Sequence, residues 1–136
     1  MATFSDIFCG CGGFSLGFKQ AGLTHLWGLD HEKSACASYE ANIGKAICAD
    51  MASMDWLSLE RPDILLGSPP CQGFSVAGKR QKDDPRNVLV WGFVWAVAVL
   101  RPKAFLIENV PGMGQGDWVQ LPSIIRMALE TLGYNV

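Results

Sequence analysis

Short apolar runs of strand length alternate along the chain with longer stretches whose apolar residues recur at helical spacing. Thr3–Phe8 reads as a strand, Gly10–Gly13 as a loop, and Phe14–Ala21 as a helix ended by Gly22. Thr24–Leu29 is predicted as a second strand and Glu32–Ala41 as a helix. Lys45–Cys48 makes a short third strand, and Asp63–Leu66 a fourth, bounded by Pro62 and Gly67. Val88–Leu100 then reads as a buried helix, Lys103–Ile107 as a fifth strand, and Trp118–Leu132 as a final helix. Gly133–Val136 has the character of a further strand beginning.

Strands alternating with helices imply β-α-β units, hence an α/β fold with a parallel sheet covered on both faces. Ligands of such sheets bind beyond the carboxyl ends of the strands. Chemistry is therefore expected in the loops that begin at Cys9, Asp30, Asp50, Gly67 and Glu108. The connection from Ser68 to Asn87 is too long for an ordinary strand-to-helix turn, and loops of that length are functional or disordered.

The 136 residues suit one domain, residues 1–136. Because 49% are hydrophobic and only 18% charged, the chain reads as a packed globule. A net charge of -2 argues against a chain that binds nucleic acid by bulk charge alone. The five cysteines contain no C-x-x-C pair, which favours reduced thiols in a cytoplasmic protein over a disulfide or zinc framework. The N-terminus lacks a signal-peptide layout, and Val88–Leu100 is too short to span a bilayer. No membrane role and no metal site are expected.

Three loops carry candidate chemistry. Cys9-Gly10-Cys11-Gly12-Gly13 follows a strand and opens a helix, where glycines permit close backbone approach and a helix N-terminus favours an anion. Asp30, at the end of the next strand, is where a carboxylate can accept hydrogen bonds from ribose. The dinucleotide pattern G-x-G-x-x-G fails because its third position is Ser15, so S-adenosylmethionine fits better than NAD. Phe8 could face a sulfonium cation, and Asp50 is either a turn residue or an acceptor for an adenine amino group.

The second loop is Ser68-Pro69-Pro70-Cys71-Gln72. Its prolines stiffen the approach to Cys71 and prevent strand pairing there. A cysteine among Pro, Gln and Gly at a strand end reads as a nucleophile needing a lowered pKa. Lys79, Arg80, Lys82 and Arg86 follow, as a solvated loop, a phosphate-contacting segment, or both. The third loop, Glu108-Asn109-Val110, puts a carboxylate directly after a buried strand. Desolvation on one side would suit Glu108 to proton donation.

Ordered and collinear, these motifs resemble the catalytic domain of cytosine-C5 DNA methyltransferases. Asp6–Phe14 is similar to the family's cofactor motif, Asp30-His31 to its acid and adenine-stacking pair, and Asp50 to its adenine-contacting acid. Pro69-Pro70-Cys71-Gln72 resembles the catalytic P-C-Q loop, and Glu108-Asn109-Val110 the E-N-V motif. Asp84–Leu89 resembles the segment after the catalytic loop, with Asn87 where the family usually has Gly.

The resemblance implies a Rossmann-like, three-layer methyltransferase domain lacking its last strands, with S-adenosylmethionine as cofactor. It implies catalysis by Cys71, Glu108 and Asn109. Cofactor contacts would come from Asp6, Phe8, Gly10, Gly12, Gly13, Asp30, His31, Asp50, Met51, Pro70 and Leu89, and DNA contacts from Gln72, Ser75, Lys79, Arg80 and Arg86. DNA is the implied partner, with target recognition carried by a missing C-terminal part or a separate subunit, because no Q-x-R-x-R motif occurs in the sequence. A bacterial cytoplasm or nucleoid is the expected location. A cofactor-binding remnant without catalysis and an RNA cytosine methyltransferase stay open as alternatives.

Overall fold

The computed structural model describes residues 1–70, 89–116 and 119–136. Its elements run β1 (Thr3–Ile7), α1 (Gly13–Gln20), β2 (Thr24–Asp30), α2 (Lys33–Asn42), β3 (Ala46–Cys48), β4 (Ile64–Gly67), α3 (Leu89–Leu100), β5 (Ala104–Ile107) and α4 (Leu121–Thr131). Among the described residues, the 3₁₀ turns Met51–Ser53, Trp56–Ser58 and Pro111–Gly114 were not expected from the sequence. The first two are capped by Asp50 and Asp55, whose carboxylates accept from Ala52 N and Leu57 N.

All described strand pairs are parallel, in the order β3-β2-β1-β4-β5. The register aligns Ile7 with Leu29 and with Gly67, and Gly67 with Ile107, so the carboxyl ends lie along one rim. The chain builds outward from β1 to β3, then crosses to the other side of β1 for β4. This places the topological switch point between β1 and β4.

β1 is central and buried on both faces, which explains its unbroken burial from Phe4 to Ile7 in place of alternation. On one face Ile7, Leu29 and Leu65 pack with Phe93, Val97 and Leu100 of α3 and with Ile125 and Leu129 of α4. The other face is thinner. There Cys9, Tyr39 and Ile43 cluster, and Phe4 meets Phe18 and His25 at ring-centroid distances of 5.6 and 5.3 Å. Trp27 is buried, and its indole N–H donates to Glu60 O at 2.9 Å.

Two expectations change. The final helix begins at Leu121, with Pro122 in its first turn, where a missing N–H costs nothing. Tyr134–Val136 is not strand: the Tyr134 hydroxyl donates to Pro102 O at 2.6 Å and its ring packs edge-on against Phe105, holding the segment beside β5.

Candidate active site

At the strand rim a cavity of about 210 Å³ opens. Phe8 enters it just past β1, Leu29, Asp30 and His31 from the end of β2 and the residue after it, and Ala49, Asp50 and Met51 from the segment that follows β3. Pro70 after β4 and Leu89 at the start of α3 complete the lining. Phe8 holds a φ of 61°, a left-handed conformation that a bulky residue adopts only when its surroundings impose it.

Asp30 joins three pieces of the site. Its Oδ2 accepts from Gly10 N at 2.9 Å, its Oδ1 accepts from Glu32 N at 2.9 Å, and Oδ1 lies 3.4 Å from Nδ1 of the exposed His31. Each carboxylate oxygen has two lone-pair sites, so capacity for ribose hydroxyls remains. Asp50 is exposed and uses Oδ1 to cap the following turn, so its two readings, turn residue and ligand acceptor, coexist.

Seven of the eleven expected cofactor contacts, Phe8, Asp30, His31, Asp50, Met51, Pro70 and Leu89, line the cavity. Gly10, Gly12 and Gly13 do not line it; Gly10 is joined to it through its bond to Asp30. Asp6 does not reach it: the residue is 1% exposed and its Oδ2 accepts from Ser15 Oγ at 2.7 Å. Burial is the main reason its pKa rises to about 6, with the Ser15 bond opposing the rise and the Asp30 charge adding to it. Its Oδ1 has no hydrogen-bond partner among the described residues. Leu29 and Ala49 were missed in the sequence. Each directly precedes a strand-end aspartate, and that adjacency was the available signal.

In the third loop, Glu108 N donates to Gly67 O at 2.9 Å, which brings the ends of β4 and β5 together. Asn109 Nδ2 donates to Pro69 O at 3.2 Å, and its Oδ1 accepts from Val110 N. Asn109 thus holds Pro69, two residues before Cys71 in the sequence. Glu108 itself is exposed, contrary to the one-sided desolvation expected for it. Cys71, Gln72, Ser75, Lys79, Arg80 and Arg86 lie outside the described residues. Among the described residues no cluster of His, Cys, Asp or Glu could hold a metal ion. No described helix is long and apolar enough to cross a membrane.

The family model of the C-5 cytosine-specific DNA methylase matches residues 2–136. This chain belongs to that family. Similar curated relatives include the Type II methyltransferases M.AgeI of Thalassovita gelatinovora, 40% identical across 95% of this chain, and M.XorII of Xanthomonas oryzae pv. oryzae, 38% identical across 96%. The chain spans about a third of their length, 32% and 33% respectively. A solved prophage-encoded DNA modification methyltransferase of E. coli superposes with a TM-score of 0.79 at 27% identity, over 96% of this chain and 38% of that one. The S. pombe Dnmt2 methyltransferase shares the fold, with a TM-score of 0.76 at 21% identity, over 99% of this chain and 41% of its own.

Proposed function

We propose that the chain forms the cofactor- and thiol-bearing part of an S-adenosylmethionine-dependent DNA cytosine-C5 methyltransferase of the restriction-modification type. The observation that carries this reading is the cavity at the strand ends, with Asp30 and Asp50 one strand apart around an apolar interior. Its chemistry suits a nucleoside. Asp30 can receive ribose hydroxyls, Asp50 an adenine amino group, and Leu29, Met51 and Leu89 the flat base. Phe8 offers a ring face to the sulfonium. Bound there, S-adenosylmethionine supplies the methyl group.

The chain's own residues prepare the acceptor. C5 of cytosine is a weak nucleophile until the Cys71 thiolate adds to C6 and pushes the ring electrons toward C5 and N3. Glu108 hydrogen-bonds N3 and stabilises the charge that develops there. Once C5 carries its methyl group, its proton leaves to water, the C5–C6 double bond re-forms and the thiolate is expelled. A base inside a duplex is out of reach, so the cytosine must be flipped out, with Gln72 and Ser75 near it and Lys79, Arg80 and Arg86 on phosphates. In this reading, target recognition belongs to the part of the relatives' length that residues 1–136 do not span, on the same polypeptide or a separate subunit. The setting is the bacterial cytoplasm.

Transfer of labelled methyl groups to duplex DNA, read as 5-methylcytosine, tests the proposal with that recognition part supplied. Cys71→Ser is expected to abolish transfer and leave cofactor affinity unchanged. Full activity in Cys71→Ser would remove the nucleophile assignment.

A further inference from the structure

Beneath the glycine loop lies a residue that the methyl-transfer chemistry does not use. Tyr39 of α2 is fully buried, and its ring fills the space between two glycines on neighbouring elements. A Cβ at Gly28 of β2 would stand 2.5 Å from Tyr39 Cζ, and one at Gly12 would stand 3.0 Å from Tyr39 Cδ2. The hydroxyl lies 2.6 Å from Ser15 Oγ and 3.0 Å from His25 Nε2. Ser15 Oγ in turn donates to Asp6 Oδ2.

Proton counting gives this chain a direction. With Asp6 ionised, the single Ser15 hydroxyl proton goes to Asp6; Tyr39 then donates to Ser15 and is left to accept from the Nε2–H tautomer of His25. The sequence His25, Tyr39, Ser15, Asp6 therefore links β2, α2, α1 and β1 around the loop Cys9–Gly13. A phenylalanine would fill the same volume. The hydroxyl is worth burying only because it is bonded on both sides. Ser15 is also the residue that breaks the dinucleotide pattern, and here it is the link between α1 and the end of β1.

We propose that Tyr39 is a positioning residue of the cofactor site. Acting through Ser15, it fixes the left-handed turn at Gly12 and the first turn of α1, where the amino-acid end of S-adenosylmethionine is received. The inference rests on the reading of the cavity given above. It separates the two ends of the ligand: Asp30 serves the nucleoside, and the Tyr39–Ser15 chain serves the carboxylate-bearing tail.

Calorimetric titration with two ligands tests this, using S-adenosylhomocysteine, which carries the amino-acid tail, and 5′-methylthioadenosine, which lacks it. Tyr39→Phe is expected to bind S-adenosylhomocysteine about tenfold more weakly and methylthioadenosine as the wild type does. Ser15→Ala, which breaks the same chain one bond further on, should show the same selective loss, whereas Asp30→Ala should weaken both ligands. Equal losses for both ligands in Tyr39→Phe and Ser15→Ala, or no loss for either, would overturn the inference while leaving the cavity reading intact. Wild-type protein that binds neither ligand would overturn both.

Discussion

Asp6 shows how burial redirects a residue's role. Its carboxyl titrates near 6 in the fold against an ordinary value of 3.8, chiefly because burial penalises the charge. The raised value means that its contribution to stability is fully present below about pH 3.8 and is lost as pH rises through about 6. Asp6→Asn removes the charge and keeps an acceptor for Ser15. The variant should therefore gain stability on the wild type as pH climbs from about 3.8 through about 6, by at most about 3 kcal/mol, and melt correspondingly higher. Thermal melts across that range check it, and a pH-independent difference would contradict the buried carboxylate. Asp63 has the opposite sign. Hydrogen bonds from Lys103 and Thr3 pull it down to about 2, so its contribution is present above 3.8 and fades as pH falls toward 2. In the sequence, Asp30 and Asp50 stood out because they close strands, whereas His31 and Met51 were singled out only through the family resemblance; all four line the cavity. Asp6 was not legible as a buried group, since its partner Ser15 sits nine residues away on another element and looked only like a departure from a glycine pattern.

At the scale of elements, the glycine loop makes a differential prediction. Gly12 has a φ of 95°, and a Cβ there would lie 2.5 Å from Ile43 Cγ1, so Gly12→Ala meets both strain and a clash. It should cost roughly 2–3 kcal/mol of stability, read by urea denaturation. Gly13, the first residue of α1, has no positive φ, and a Cβ there would meet nothing within 4 Å, so Gly13→Ala should leave stability unchanged or raise it by up to about 1 kcal/mol. Equal destabilisation by both substitutions would refute the steric account. The five described strands and four described α-helices were readable from apolar periodicity, because each is long enough to show its repeat or is bounded by clear turn residues. The 3₁₀ turns at Met51–Ser53 and Trp56–Ser58 were not, since three residues carry no period. Exposure of Glu108 was equally hidden. Local sequence marks a strand end but does not show how much of the following side chain its neighbours cover.

Across the whole molecule, function follows from strand order. Reversal of direction at β1 brings Phe8, Asp30, Asp50, Pro70 and Leu89 around one cavity, although these residues are scattered from the first strand to the third helix. Strand-to-strand register is a long-range property and could not be read locally. The motifs showed which loops mattered, and the sheet shows which of them converge. On the far side of that rim, Asn109 ties the end of β5 to Pro69, just past the end of β4. The most direct test of the cavity's role is a crystal structure of the protein with S-adenosylhomocysteine bound. The ribose hydroxyls are expected on Asp30, the adenine beside Met51 and Leu89 with its amino group toward Asp50, and the amino-acid tail running past Phe8 to the glycine loop. Ligand bound elsewhere, with this cavity left empty, would contradict that role.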